Sequence, residues 1–238
     1  MSDVHFEAMD LMLGNQVYGT YGEETINWQQ FLQPYELAVN GFVMKLESIK
    51  KQYILAGKKN PIENVTGRVK NPKSIVEKLK RMNMNFDEIR NLSDIGGIRI
   101  TCKYIQEVYE IFDLLKSRKD IEIFWIKDYI ENPKPSGYRS LHLITKYNAE
   151  TIDGQIPINI EFQIRTLAMH LWGSIEHSLK YKYYRNIPEN IKLRLIEASR
   201  ISYDLDVEMS KIKLDMDSLD EVEERGEYDE SLFDYDFD

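Results

Sequence analysis

The chain has 238 residues, 42% of them hydrophobic and 11% aromatic, with a formal net charge of −9. That length holds one large domain or two small ones, and the composition excludes global disorder. No apolar run reaches the roughly 18 residues of a membrane span, the start Met1-Ser2-Asp3-Val4-His5 predicts no secretory signal, and the single Cys102 excludes an internal disulfide and a cysteine-cluster zinc site.

Residues 1–26 mix Gly, Asn, Tyr and acids without a clear period and read as an N-terminal extension. From Trp28 to Ile54, Phe31, Tyr35, Val39, Phe42, Val43, Leu46, Ile49 and Tyr53 recur at three- and four-residue steps. That spacing predicts an amphipathic helix, broken by Ala56-Gly57-Lys58-Lys59-Asn60-Pro61. Lys73 to Met82 reads as a short basic helix with Ile75 and Leu79 on one face. Around it Arg68, Lys70, Lys73, Lys78, Lys80 and Arg81 oppose only Glu77, a cationic patch in an acidic chain.

The period then falls from 3.6 to 2. Ile98, Ile100 and Cys102 alternate with Arg99, Thr101 and Lys103, which predicts a half-buried strand. Val108 to Leu115 reads as a helix, Ile121 to Ile126 as a second strand and Tyr138 to Thr145 as a third. In the third, Tyr138, Ser140 and His142 share one face, opposite Leu141 and Leu143. The clearest alternation is Ile156, Ile158, Ile160, Phe162 and Ile164, which puts Asn159, Glu161, Gln163 and Arg165 together on the other face. Leu167 to Tyr183 is helical again. Ile191, Leu195, Ala198, Ser202, Leu205, Met209 and Ile212 then follow the 4-3 spacing of a long C-terminal helix, packed on the body or on another subunit. From Asp215 to Asp238 twelve acids face one base, Arg225, so this stretch carries −11 and reads as a disordered tail. Residues 1–214 are left at +2, and the domain is placed at 27–214. Strands interleaved with helices give an α/β (α+β) class with one sheet.

Four clusters can carry chemistry. Lys70, Ser74 and Lys78 surround the start of the basic helix, where an N-terminus and ammonium groups favour phosphate. By spacing alone a solvated cationic face fits them better. Asp94 and Glu161, at strand edges of one sheet, can hold Mg²⁺ between them with substrate phosphates, against the alternative of a turn cap and a surface acid paired with Arg165. Lys134-Pro135-Ser136-Gly137-Tyr138-Arg139-Ser140-Leu141-His142 feeds an aromatic onto an open sheet face, either a stacking platform for a base or a half-exposed tyrosine. His170, Ser174 and His177 share a helix face, a weak zinc signal that packing on the sheet explains better.

Together these residues are recognisable. Val65-Thr66-Gly67-Arg68-Val69-Lys70, Asp94-Ile95-Gly96-Gly97-Ile98-Arg99-Ile100, Gly137-Tyr138-Arg139-Ser140-Leu141-His142 and Glu161-Phe162-Gln163-Ile164-Arg165-Thr166 occur in that order. They resemble the synthetase domain of RelA/SpoT-type enzymes, most closely the stand-alone small alarmone synthetases, from about Trp28 to about Lys213. The resemblance implies a nucleotidyltransferase-like mixed sheet and transfer of the pyrophosphoryl group of ATP to the 3′-hydroxyl of GDP or GTP, giving AMP and (p)ppGpp. It implies that Arg68 and Arg99 sandwich adenine and that Lys70, Ser74 and Lys78 contact ATP phosphates. Asp94 and Glu161 are the implied Mg²⁺ ligands and catalytic acids, Glu161 activating the hydroxyl. Tyr138 is implied to stack on guanine, with Lys134 and His142 at the acceptor phosphates. His170 stands beside guanine where some relatives carry Asn. Gly96-Gly97 replaces a common Ala-Gly and is expected to loosen the turn before Arg99.

Further implications are a homotetramer, RNA as an effector, a cytoplasmic location with no membrane contact, and synthesis without hydrolysis, since no His-Asp pair occurs. Two rival readings remain open on the residues alone. One is a pyrophosphokinase with another acceptor, a tRNA 3′ end or an adenosine nucleotide. The other is a nucleotide- or RNA-binding regulator with little catalysis.

Overall fold

The computed structural model describes residues 11–13, 16–21, 24–182 and 188–224. Strands β1 (Leu11–Leu13), β2 (Gln16–Tyr21) and β3 (Glu24–Asn27) pair antiparallel in a small sheet of their own. This corrects the patternless reading of residues 11–26, because strands of three to six residues are too short to display a period. Helix α1 (Trp28–Leu55) follows at once, its first turn capped by the Asn27 side chain, which accepts from Gln30 N at 3.1 Å. It ends where Gly57 takes φ +62°, which a residue without Cβ adopts freely.

Next come β4 (Asn64–Val69) and α2 (Pro72–Met82). Asn71 caps α2 by accepting from Ser74 N at 2.8 Å, Pro72 sits at its first turn, and Asn83 closes it in the left-handed region. A 3-10 turn at Phe86–Asn91 leads into β5 (Gly96–Cys102) and α3 (Ile105–Lys116). The chain continues through β6 (Glu122–Asp128), β7 (Leu141–Thr151), β8 (Gly154–Thr166), α4 (Leu167–Lys182) and α5 (Glu189–Glu224). The expected strands and helices are thus present with shifted ends. β7 starts at Leu141 and not at Tyr138, because Gly137 N turns back to Lys134 O at 2.7 Å with φ +89°. The predicted helix end at Tyr183 lies outside the described residues, as does the tail beyond Glu224.

Helix α5 runs ten residues past Leu214 into the acidic stretch read as disordered. Lys213 pairs with Asp217 one turn on at 2.6 Å, Lys59 also holds Asp217, and Ser218 Oγ donates to Leu214 O at 2.9 Å. The 4-3 seam of this helix is not its inner face. Leu205, Met209 and Ile212 are 55%, 43% and 47% exposed, whereas Ser199, Asp206 and Ser210 are buried.

The main sheet has the order β4-β5-β8-β7-β6, with β5 and β8 parallel and the other pairs antiparallel. Its apolar face carries Ile158, Ile160, Phe162 and Ile164 against α1, where Phe42 stands 5.3 Å from the Phe162 ring and 4.9 Å from that of Tyr147. Edge-on aromatic contacts of this kind add about 0.5–1.5 kcal/mol each beyond burial. Gly96 explains how closely α1 approaches: a Cβ there would lie 2.7 Å from Ile160 Cδ1 and 3.2 Å from Val39 Cγ2. Gly96-Gly97 is therefore no loosened turn. Both residues are paired within the sheet, to Val69 and Arg68 on one side and Ile160 and Glu161 on the other.

Candidate active site

Residues opposite one another on neighbouring strands share a face, so the registers fix what lies beside what. One row across the five strands is Arg68, Gly97, Glu161, Ile144 and Trp125. The next row is Thr66, Arg99, Gln163, His142 and Lys127. This polar face, turned away from α1, is the floor of two adjoining clefts. The first, of about 400 Å³, is lined by Lys78, Asp94, Lys134, Tyr138, His142 and Glu161 among others. The second, of about 350 Å³, is lined by Arg68, Arg99, Gln163, Arg165 and His177, and Tyr138 belongs to both.

Asp94 follows the 3-10 turn and precedes β5, between two lysines. Lys70 Nζ is 2.8 Å from its Oδ2 and Lys78 Nζ 2.7 Å from its Oδ1. Burial works against the Asp94 charge, but the hydrogen bonds and charges of the two ammonium groups outweigh it and hold the carboxyl below its ordinary value. Glu161 is governed the same way. Burial and the charge of Asp94 push its pKa up, and hydrogen bonds from His142 and Gln163 bring it below the ordinary value. It pairs with His142 and not, as the alternative had it, with Arg165.

Five side chains, Glu161 among them, close a ring. Tyr138 Oη is 2.8 Å from His142 Nε2, and His142 Nδ1 is 2.9 Å from Glu161 Oε1. Gln163 Nε2 donates to Glu161 Oε2 at 2.8 Å and its Oε1 accepts from Arg165 at 2.8 Å. Arg165 in turn donates to Tyr138 Oη. Arginine only donates, so the phenol oxygen accepts there, and with a neutral imidazole its one proton points to His142 Nε2. His142 Nε2 is then an acceptor, and Nδ1 carries the hydrogen that Glu161 receives. This tautomer is assigned from the partners. Burial raises the Tyr138 pKa, which keeps the phenol protonated.

The Tyr138 ring is flanked by cations, with Lys134 Nζ 4.7 Å and Arg165 Cζ 4.9 Å from its centroid. Lys134 also stands 4.6 Å over Tyr129, whose ring is 5.3 Å from that of His142. Of the residues singled out from the sequence, Arg68, Lys78, Asp94, Arg99, Lys134, Tyr138, His142 and Glu161 line these clefts, and Lys70 reaches the first only through its ion pair with Asp94. Ser74 is half-buried in the first turn of α2 and lines neither cleft. His170 also lines neither. Burial, Arg99 and Arg165 depress its pKa. Trp125, Lys127, Tyr129, Gln163 and Arg165 join the site without having been singled out. A bulge between Ile123 and Trp125 breaks the alternation that would have revealed the first two. Gln163 and Arg165 were visible as neighbours of Glu161 on its face, but the ring they close was not.

Among the described residues no three His, Cys, Asp or Glu side chains gather as a metal cage. Two ionised carboxylates near each other at one cleft fit Mg²⁺, which takes one or two carboxylates and completes its shell with phosphate and water oxygens.

The family described as the region found in RelA / SpoT proteins matches residues 67–186. The chain is 45% identical over 186 residues to the GTP pyrophosphokinase YjbM of Bacillus subtilis, covering 78% of this chain and 88% of that protein. The crystal structure of small alarmone synthetase 1 from Bacillus subtilis bound to its product pppGpp superposes with a TM-score of 0.77 at 45% identity, covering 79% of this chain and 97% of that one. The structure of the same synthetase bound to AMPCPP gives 0.71 at 40% identity, covering 80% and 98%. Four motifs met in order, a cleft built from them and a match along almost the whole of these relatives place the chain in the RelA/SpoT family.

Proposed function

We propose that the chain is a (p)ppGpp synthetase that moves the β,γ-pyrophosphoryl group of ATP to the 3′-hydroxyl of GDP or GTP. The observation that carries this reading is the pair of ionised carboxylates, Asp94 and Glu161, at a cleft with lysines on one side and a cation-flanked tyrosine on the other. The named activity of YjbM and the pppGpp in its relative's structure support it. In this reading Arg68 and Arg99 take the adenine in the second cleft. Lys70 and Lys78 exchange Asp94 for the phosphates of ATP. Tyr138 stacks on guanine, and Lys134 and His142 meet the acceptor phosphates. Glu161, held ionised, removes the 3′-hydroxyl proton as the oxygen bonds to the β-phosphorus. The bond from that phosphorus to the α,β-bridging oxygen breaks, and AMP leaves with the oxygen. Asp94 and Glu161 would hold Mg²⁺, which supplies positive charge to the phosphate oxygens when bound.

The domain limits 27–214, a cytoplasmic location and RNA as an effector remain part of this proposal. No described helix is long and apolar enough to cross a membrane. A homotetramer is supported by the exposed apolar seam of α5, which the body leaves uncovered. The test is incubation with Mg²⁺, ATP and GDP or GTP. AMP must form mole for mole with a guanosine product heavier by one pyrophosphate. Tyr138→Ala must lose far more of that product than Lys192→Ala on the outer face of α5. A wild-type protein that makes neither product refutes the proposal.

A further inference from the structure

We propose that Ser199, on α5 and outside every motif, is a positioning residue for the loop that carries the acceptor-binding groups. It rests on the reading of the first cleft given above. That loop spans Lys134–Tyr138, and two backbone bonds shape it: Gly137 N to Lys134 O at 2.7 Å and Lys134 N to Tyr138 O at 3.1 Å. A further hold on its backbone comes from 62 residues away. Ser199 is buried, and its hydroxyl donates to Gly137 O at 2.5 Å. Gly137 sits at φ +89°, and a Cβ on it would lie 2.7 Å from Ser199 Cβ and 2.9 Å from Ser199 Oγ. The absence of a side chain on Gly137 is thus what lets α5 close on the loop, and the hydroxyl fixes the carbonyl once there.

The contact is one of a series along the inner face of α5. Tyr203, one turn on, lies under the Arg139 guanidinium at 3.8 Å. Asp206 accepts from Thr166 Oγ1 at 2.6 Å, and Ser210 Oγ accepts from Ile105 N at 3.3 Å. Trp172 Nε1 donates to Leu195 O at 3.0 Å and sets the helix against α4. Each of these contacts ties α5 to a fixed element or to its junction. Ser199 alone among them ties it to the Lys134–Tyr138 loop. Without its hydroxyl the loop loses a directional hold, Lys134 and Tyr138 sample more orientations, and the acceptor must order them on binding.

Ser199→Ala tests this. Losing one hydrogen bond of this kind predicts that Kd for GDP, by titration calorimetry, and KM for the acceptor rise by about fivefold to tenfold. KM for ATP and the thermal midpoint should change little, and Ser218→Ala, which loses only a bond within α5, should change neither constant. Gly137→Ala drives its Cβ into Ser199, and Ser199→Gly in that background removes both clashing atoms. The double variant should therefore recover part of the GDP affinity lost by Gly137→Ala, a coupling no general loss of stability produces. GDP affinity unchanged in Ser199→Ala, or acceptor and donor constants moving together, overturns the inference. A wild type that binds GDP without pyrophosphoryl transfer would instead fail the proposed function and leave the calorimetric test of Ser199 intact. A wild type that binds no GDP overturns both.

Discussion

His142 Nδ1 stands 2.9 Å from Glu161 Oε1, while its other nitrogen stands 2.8 Å from the phenol oxygen of Tyr138. In the proposed reading the imidazole therefore joins the group that stacks on the acceptor base to the group that takes the acceptor's proton. It also lowers the pKa of Glu161 against the opposing push of burial.

His142→Ala should raise the Glu161 pKa. A general base works in its ionised form, above its pKa, so the acid limb of kcat against pH should move to higher pH. At neutral pH kcat should fall by about tenfold to a hundredfold. The pH profile of wild type and variant checks this, and an acid limb that stays in place would rule out the coupling.

Lys78 and Lys70 share Asp94, so each supports its charge. Lys78→Ala should raise KM for ATP by about tenfold or more, since it loses the proposed phosphate ligand as well as a partner of Asp94. Lys73→Ala, exposed on the same helix, should shift KM less than twofold by the usual weakness of exposed charges. Equal effects from both would make the basic segment a diffuse electrostatic patch.

Gly96 and Gly97 are adjacent but face opposite sides of the sheet. Gly96→Ala puts a methyl into Ile160 and Val39 and should cost about 1–3 kcal/mol of stability by overpacking. Gly97→Ala meets nothing closer than 3.9 Å and should cost well under half of that. Chemical denaturation of the two variants decides whether the pair serves the approach of α1.

Asp206 is buried against Thr166, and burial raises its pKa to about 6. A raised carboxyl pKa means the folded chain binds the proton more tightly than the unfolded one. Stability from this group is therefore present at low pH and is lost as pH rises from about 4 through about 6. Asp206→Asn keeps the acceptor for Thr166 without the charge. It should be more stable than wild type at pH 8 by on the order of 2 kcal/mol after allowing for solvent screening, with the difference vanishing near pH 4. Thermal midpoints across that range test the sign.

Much of the site was legible because strand alternation is a local signal. The spacing of Ile156 to Ile164 put Glu161, Gln163 and Arg165 on one face, where they are found, and Arg99 faces away from Ile98 and Ile100 as its strand predicts. Edge strand β4 escaped notice because Val65 is its only buried residue, so its sequence shows no apolar period. The inner face of α5 misled the reading for a related reason. Its buried positions are Ser199, Asp206 and Ser210, each satisfied by a distant partner, and hydrophobic spacing points to the outer face instead. Contacts such as Ser199 with Gly137 depend on tertiary closure and leave no mark on local sequence. The motifs carried the residues, and the registers supplied the distances that make them one site.

The most direct test of the account follows the β-phosphorus of ATP. With ATP labelled there, the protein, Mg²⁺ and GDP, the label should leave the adenine nucleotide and appear in a guanosine product, with unlabelled AMP accumulating in equal amount. Glu161→Gln should slow that transfer by about a hundredfold or more. Label retained in ADP, the mark of γ-phosphoryl transfer, or transfer at an unchanged rate in Glu161→Gln, would contradict it.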